Sequence, residues 1–490
     1  MAKTHPIKTV PPIARAPAAS GTRIRRGDDI WKDRIFRALI AVVALAPLPL
    51  GSARPLAWEI LGLAVAALLI VAFAGNDWDN EPLARDLILP IVLFFLVLGY
   101  AVLQCMPLTS GWINPIWALA REGLDSQVTG SIAVDPGLAL VYVFRLLTYA
   151  GVFVLAYLLG RDRGRAQAAI TALSLIAAAY AIYGLFNFWT KNATFLAMPQ
   201  GDYFGGVSAT FANHNSFATY AGLALVACLA NLAGTAEPGG SSRRHRLSAI
   251  VEQLVASAGK LAILFVLATA LLLTGSRGGL LATLLGATVL LVSLYAAPSV
   301  RNARYLSWAL VPLFLLLGAL ALSGGQTLGQ FAAMDMSDVT DATGASRPEI
   351  FAITLHALKD FFVQGTGLGS FPAIFQIYRS GTVQGFVDMA HDDYLQNMLE
   401  LGVPAALCLF TSVGWLAALC ARGIWHRNRD VIFPALGFAA TVLVASHALV
   451  DFSLQIPAVT VSYMLLLGIG VAQSRSPSNP QAIVSSSPPG

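Results

Sequence analysis

Residues 390–420 read AHDDYLQNMLELGVPAALCLFTSVGWLAALC, and within them a polar stretch passes directly into a long apolar run. As an α-helix the apolar part, Leu401–Cys420, would be about 30 Å long, which matches the hydrocarbon thickness of a bilayer. The polar part ends a Gly- and Asp-rich stretch that begins at Ser323. A second apolar run of spanning length, Leu306–Leu322, lies on the other side of that stretch. These residues predict two membrane spans joined by a large polar loop.

The composition indicates a polytopic membrane protein rather than a soluble one. Of the 490 residues, 56% are hydrophobic and 12% are charged, and the mean hydropathy is +0.68. The apolar runs are continuous and do not alternate with polar residues, so they predict helices rather than the strands of a barrel. The net charge of +5 comes from short basic clusters between apolar runs, which indicates membrane orientation and no nucleic-acid partner. Four cysteines without CxxC spacing indicate neither a metal site nor disulfides.

The apolar runs predict an all-α fold with about twelve membrane-spanning helices. The predicted spans are 35–50, 56–74, 87–104, 138–159, 166–189, 216–232, 261–274, 279–296, 306–322, 401–420, 431–450 and 456–472. We divide the chain into a disordered cytoplasmic tail, nine spans, the large loop, three further spans and a second disordered tail. These parts cover residues 1–29, 30–322, 323–394, 395–473 and 474–490.

The basic residues predict which loops are cytoplasmic. With a cytoplasmic N-terminus alternate loops are expected to be basic, and the loops at 161–165, 243–246, 301–304 and 422–429 are. The loop at 75–86 is acidic, but Asp and Glu have little influence on topology. The large loop at 323–394 is therefore predicted to lie outside the cytoplasm.

On this topology the unusual polar residues gather at the external side of the membrane. Arg145 lies roughly 10 Å into its span by helical rise, and an Arg in a span is costly unless it is paired or faces water. Arg277 lies in the turn Thr274–Gly279, and His447 and Asp451 are four residues apart, which predicts one helical face. Several such groups on one side suggest an anionic ligand.

Structural alternatives exist for each of these residues. Arg145 could pair with a carboxylate or extend to the membrane surface, and Arg277 could serve only as a topological charge. His447 and Asp451 could form a structural hydrogen bond.

The acidic and Gly-rich motifs near the large loop also have ordinary structural explanations. At least one of Asp392 and Asp393 is expected to cap the apolar helix that follows. Together with Asp388 they resemble a metal site only weakly, because the spacing matches no strong ligand pattern. The run 365–369, GTGLG, is a weak phosphate signal, since glycines suit any tight turn.

Three segments together resemble the O-antigen ligase and polymerase superfamily of bacterial envelope glycosyltransferases. They are TFANHNSFA at 210–218, TGSRGGLL at 274–281, and a third made of Ser346–Arg347, GTGLGSF at 365–371 and AHDDYLQNMLE at 390–400. The resemblance covers residues 210–457, about half of the chain. It implies a GT-C-like multi-pass enzyme of the bacterial inner membrane, with its active site facing the periplasm. The implied donor is a glycan on undecaprenyl diphosphate and the implied acceptor is a saccharide or glycolipid, with no metal and no other cofactor.

The resemblance and the residue chemistry together give a set of expected site residues. Arg277 and Arg347 match motif positions, and fixed guanidinium groups stabilise the charge of a departing diphosphate. His391 is the expected proton acceptor for the attacking hydroxyl, because imidazole titrates near neutral pH. Direct attack would invert the anomeric carbon. The remaining expected contacts to diphosphate or sugar are Arg145, Asn213, His214, Ser276, Tyr394, His447 and Asp451.

A lipid-linked oligosaccharide flippase or another secondary transporter is the alternative from a different class. Such a protein also has about a dozen spans and buried Arg, but its polar residues are expected near the midplane on broken helices. Here they lie at one face, which favours an enzyme. Ligase and polymerase activities are both left open.

Overall fold

The computed structural model describes residues 27–75, 85–108, 111–124, 128–191, 194–195, 198–199, 206–234, 246–298, 346–379, 381, 383, 385–427 and 429–475. These residues form fifteen α-helices. The first eight are α1 Gly27–Leu45, α2 Pro55–Ala74, α3 Ile88–Cys105, α4 Ile116–Leu124, α5 Pro136–Leu159, α6 Arg163–Thr190, α7 His214–Gly234 and α8 Arg246–Leu273. The others are α9 Arg277–Ala296, α10 Arg347–Asp360, α11 Phe371–Tyr378, α12 Asp393–Leu401, α13 Val403–His426, α14 Ile432–His447 and α15 Pro457–Ala472. A two-residue antiparallel hairpin, β1 Thr194–Phe195 and β2 Met198–Pro199, precedes α7.

The helices confirm an all-α polytopic membrane protein. Within the described ranges, seven helices are long and apolar enough to cross a membrane, namely α2, α3 with the short turn before it, α5, α6, α7, α9 and α13. Three shorter apolar helices cover Ser257–Leu273, Ile432–His447 and Pro457–Ala472. Eleven of the twelve predicted spans fall on helices. The twelfth, 306–322, lies outside the described residues, as do 323–345 and nearly all of both predicted tails.

Helix α7 forms the centre of the bundle. In its spanning window 94% of the residues are buried, and it packs against α6, α8, α9, α14 and α15. Small residues allow such close packing where helices meet in a membrane. Between α14 and α15, for example, a Cβ added to Gly437 would lie only 3.0 Å from the Gly470 Cα. By contrast α2 and α3 expose Leu56, Leu63 and Phe95 on the outside of the bundle, where lipid is the expected solvent.

Two predicted helix boundaries are wrong in a way that matters for the site. Helix α14 ends at His447, so Asp451 lies in the turn that follows and not on a shared helical face. The second concerns the span that was predicted to begin at Leu401. Two helices, α12 and α13, meet there at Gly402, which has a φ of +78° and carries no Cβ because one would lie 2.2 Å from the Val363 carbonyl oxygen.

The described part of the predicted large loop is mostly helical and packs on one end of the bundle. Helices α10 and α11 lie within it, and buried residues such as Ile350, Phe371 and Leu399 form a small core between α10, α11 and α12. We call this end of the bundle the site end. Helices α5, α7, α9, α13 and α15 begin there, and α14 ends there.

Candidate functional site

His391 stands at the centre of the site end in an unusual backbone conformation. Its φ is +53°, a left-handed conformation that is uncommon for residues other than glycine and that clusters at functional positions. The next residue, Asp392, is the N-cap of α12, and its Oδ1 accepts hydrogen bonds from the Tyr394 and Leu395 amides at 2.8 and 2.9 Å. The capping prediction is thus confirmed for Asp392. The cap fixes the direction of the chain just after His391, whose ring packs edge-on against Phe452.

The imidazole of His391 faces the carboxylate of Asp451. Its Nδ1 lies 3.7 Å from Asp451 Oδ1, and the Asp451 side chain is completely buried. Burial alone would raise the pKa of Asp451. Instead, the adjacent His391, His447 and Ser453 lower it to about 2, so the carboxylate is ionised at neutral pH.

Two hydroxyl groups connect Asp451 with the other histidine. Ser453 Oγ donates to Asp451 Oδ2 at 2.6 Å, and Thr219 Oγ1 donates to Ser453 Oγ at 2.8 Å. The Nδ1 of His447 lies 2.6 Å from Thr219 Oγ1. His447 and Asp451 are therefore linked through Thr219 and Ser453, and not by the direct contact that their spacing suggested.

A second carboxylate, Asp393, lies beside this network. Its Oδ2 accepts a hydrogen bond from the Leu454 amide at 3.1 Å, whereas its Oδ1 accepts none from any residue that the structure describes. Burial, and to a smaller extent the nearby Asp451 charge, raise the pKa of Asp393 well above its ordinary range. The two neighbouring carboxylates thus have pKa values displaced in opposite directions, a pattern typical of acid–base sites. Sequence reasoning considered Asp393 only as a cap or weak metal ligand.

The two motif arginines begin helices that point at the same network. Arg347 is the first residue of α10, and its Nη1 donates to the Val450 carbonyl at 2.9 Å, next to Asp451. Arg277 is the first residue of α9, and the preceding Ser276 caps that helix by accepting a hydrogen bond from the Gly279 amide at 3.1 Å. The imidazole of His447 packs against this N-terminus, since a Cβ added to Gly278 would lie 3.0 Å from His447 Nε2.

Arg145 lies behind the network and is held by an uncharged partner. Its side chain is 6% exposed and stacks on the Tyr142 ring, with 4.0 Å from Cζ to the ring centroid, and on Trp58 at 5.1 Å. Its Nη2 and Nη1 donate to the Gln455 side-chain and backbone oxygens at 2.6 and 3.2 Å. Of the two structural alternatives, neither a carboxylate partner among the described residues nor an extension to the membrane surface is observed.

The remaining expected contacts lie at the site end but serve local structure. Asn213 Oδ1 accepts a hydrogen bond from the Asn215 amide at 2.7 Å, and His214 opens α7 beside it. Tyr394 Oη donates to the Ala445 carbonyl at 2.9 Å, which ties α12 to α14. The structure therefore places Arg347, His391, His447 and Asp451 in one network, adjoined by the start of α9. It places Arg145, Asn213, His214 and Tyr394 around that network.

The Gly-rich run at 365–371 binds a carboxylate of the protein itself. The amides of Gly369 and Phe371 donate to the Glu400 carboxylate at 2.8 and 3.3 Å. Gly365, Gly367 and Gly369 all have positive φ values, as the tight-turn alternative requires. Burial raises the pKa of Glu400 to about 7. The amides that a phosphate would need are thus already occupied.

Two other observations concern metal binding and a cavity away from His391. Among the residues described here, no group of three or more His, Cys, Asp or Glu side chains is arranged to hold a metal ion. A cavity of 370 Å³ lined by Asp86, Arg422, His426 and Arg475 lies at the opposite end of the bundle, away from His391.

The comparisons with known proteins agree with two of the three segments that suggested the resemblance, and the segment at 210–218 lies outside the matched range. Residues 262–410 match the family model described as O-antigen ligase, and the matched range includes Arg277, Arg347 and His391. His447 and Asp451 lie beyond it. No curated protein matches the chain in sequence. The family match implies a glycosyl-transferring membrane enzyme whose substrates are a lipid-linked glycan and a saccharide acceptor. The predicted resemblance is thus confirmed: over residues 262–410 the chain is similar to the O-antigen ligase and polymerase superfamily.

Proposed function

We propose that this protein is a bacterial inner-membrane glycosyltransferase. It transfers a glycan from undecaprenyl diphosphate to an acceptor saccharide at the periplasmic face, with inversion and without a metal. The observation that carries the proposal is the buried pair of His391 and Asp451, 3.7 Å apart, beside a helix that begins with Arg347. The basic loops support a periplasmic site end, because the two that the structure describes, at 161–165 and 422–429 except residue 428, lie at the opposite end of the helices.

His391 acts as the general base in this proposal. An ionised Asp451 holds the proton on His391 Nδ1 and leaves Nε2 as the proton acceptor. The acceptor hydroxyl gives its proton to Nε2 while its oxygen forms a bond to the anomeric carbon. The bond between that carbon and the diphosphate oxygen breaks, and the lipid diphosphate leaves with the electron pair. Attack opposite the leaving group inverts the anomeric carbon.

Arg277 and Arg347 stabilise the negative charge that develops on the diphosphate. Guanidinium groups suit this task because they stay charged and bind phosphate oxygens in pairs. Helices α9 and α10 both begin at these residues, so their partial positive ends also favour an anion. Asn213, His214, Ser276, Tyr394 and His447 are proposed to surround the donor and acceptor. Arg145 contacts the diphosphate only if Gln455 gives up its hydrogen bond.

Reconstituted transfer is the decisive test. Full-length protein in proteoliposomes would receive undecaprenyl-diphosphate oligosaccharide and an acceptor glycan in the presence of EDTA, with release of lipid diphosphate as the readout. We expect Arg277→Ala and His391→Ala to lower transfer by about a hundredfold or more. His356→Ala and Arg379→Ala are the matched controls. His356 lies on α10 and Arg379 directly follows α11, and both residues are outside the network.

Two outcomes would contradict the proposal. If no condition gives transfer while labelled lipid crosses the bilayer, the protein is a transporter. If the control variants lose as much transfer as the site variants at equal membrane insertion, the site is misplaced. The length of the product separates ligase from polymerase, since a ligase adds the donor glycan once.

A further inference from the structure

We infer that Thr219 and Ser453 are positioning residues, which set where the protons lie on both site histidines. Neither residue belongs to a motif that sequence reasoning selected, and both are buried, with 0% and 2% exposure. The kinetic part of this inference rests on the proposed function, whereas the proton positions do not.

The donors and acceptors in the network leave one consistent arrangement. An ionised Asp451 can only accept, so Ser453 must give it its single proton. Ser453 can then only accept from Thr219, as the 2.8 Å contact requires. Thr219 has thereby used its own proton, so it must accept from His447. The 2.6 Å contact therefore places a proton on His447 Nδ1.

The competing contacts of the same atoms are longer. Thr219 Oγ1 also lies 3.2 Å from the Asn215 carbonyl, and Ser453 Oγ lies 3.3 Å from His447 Nδ1. At these lengths both are weaker than the 2.6 to 2.8 Å contacts that run from His447 through Thr219 and Ser453 to Asp451. We call this series of contacts, with His391 at its end, the relay.

The relay also determines which oxygen of Asp451 faces His391. Ser453 occupies Oδ2, so Oδ1 is the oxygen left to face His391 Nδ1, which lies 3.7 Å away, within ion-pair range but beyond hydrogen-bond length. The order His447, Thr219, Ser453, Asp451, His391 thus connects the two histidines through two hydroxyl groups and one carboxylate. Since its members are buried, water cannot replace a missing hydroxyl without rearrangement.

Removal of either hydroxyl has a predictable kinetic effect. Without Ser453 the Asp451 carboxylate loses a short charge-assisted hydrogen bond and orients His391 less well. Ser453→Ala and Thr219→Val are expected to lower kcat by about tenfold or more with little change in KM. Ser453→Thr and Thr219→Ser keep a hydroxyl and should retain most of the activity. Valine has nearly the shape of threonine, so a role in packing alone would leave Thr219→Val active.

The pH profile is a second readout that packing would not move. The charged and titratable groups close to the relay are His391, His447, Asp393 and Arg347, and Arg277 begins the helix that packs against His447. Loss of the Ser453 hydroxyl raises the pKa of Asp451, which stays ionised at neutral pH, and the more basic carboxylate then stabilises the protonated form of His391 more strongly. The basic limb of the pH profile of kcat should not change in these variants. The acid limb should shift in Ser453→Ala and stay in place in Ser453→Thr.

Nitrogen NMR tests the proton positions without any activity. Full-length protein containing ¹⁵N-histidine carries seven histidines, and His447→Asn and His391→Asn identify the two signals of interest. At pH 8 we expect both imidazoles to carry the proton on Nδ1, and Ser453→Ala to disturb both.

The two experiments separate failure of the relay from failure of the proposed function. A proton on His447 Nε2 and an aprotic Nδ1 would overturn the inference whatever the transfer assay gives, as would wild-type kcat and pH profile in Thr219→Val. If NMR gives the expected protons but the unmodified protein transfers no glycan, the relay stands and the proposed function fails.

Discussion

Arg145 Nη2 donates a 2.6 Å hydrogen bond to Gln455 Oε1 across 310 residues of sequence. This contact ties the third turn of α5 to the turn between α14 and α15, two residues from Ser453. The Arg145 guanidinium is therefore held by the Gln455 side-chain oxygen and two aromatic rings. The position of the turn at 453–455 depends on this contact.

Gln455→Ala should destabilise the protein because it leaves the buried Arg145 guanidinium without its strongest acceptor. We expect a loss of about 1.5–3 kcal/mol in the free energy of unfolding, seen as a lower Tm in detergent. Gln364→Ala is the control, since that side chain makes only an exposed 3.3 Å hydrogen bond to Asp360. Equal Tm values for the two variants would show that Gln455 is dispensable for Arg145.

Asp451 should stabilise the protein in a defined pH window. Its pKa is lowered from 3.8 to about 2, so the folded state binds this proton less tightly than the unfolded state. The resulting stability is fully present above about pH 4 and is lost as the pH falls through about 2. The Tm difference between wild type and Asp451→Asn should therefore shrink across that range. The exposed Asp388→Asn variant should keep a constant difference, and a constant difference for Asp451→Asn would contradict the prediction.

Glu400 should have the opposite pH dependence. Burial raises its pKa from 4.5 to about 7, so the folded state holds this proton more tightly than the unfolded state. Its contribution to stability is present below about pH 4.5 and is lost as the pH rises through about 7. Glu400→Gln should remove that part of the decline in Tm between pH 5 and pH 8. Glu122→Gln, an exposed substitution on α4, should leave the decline unchanged.

The sequence predicted the spans that the structure describes and the grouping of unusual polar residues at one end of the bundle, because both follow from local properties. Apolar runs of spanning length gave the helices, and the positions of Arg277, Arg347 and His391 relative to those runs placed them together. The prediction was wrong where a short feature decided the outcome. His447 and Asp451 were placed on one helical face because nothing in their spacing shows that α14 stops at His447.

Other site residues were missed for a different physical reason. Thr219 and Ser453 lie in or near apolar runs, where hydroxyls commonly bond to the carbonyl one turn earlier and carry no signal of function. Their contact spans 234 residues, which no local pattern contains. The signal that could have identified Asp393 was its position directly after His391 and Asp392. Once Asp392 caps α12, the carboxylate of Asp393 is left for another contact.

Gly278→Ala should separate function from stability at the site. An added Cβ would lie 3.0 Å from His447 Nε2 and 3.0 Å from a Val450 methyl group, so the imidazole must shift by a few tenths of an ångström. Alanine also favours the α9 helix over glycine by about 0.5–1 kcal/mol, so the Tm should not fall much. Transfer should decrease by about tenfold, because small displacements of positioned groups are costly to catalysis. Gly259→Ala on α8 is the matched control, since no described atom lies within 4 Å of its added Cβ.

If Gly278→Ala and Gly259→Ala transfer glycan equally well, the position of His447 against α9 has no bearing on the reaction. If only Gly278→Ala slows transfer at an unchanged Tm, the N-terminus of α9 and His447 act as one part of the site.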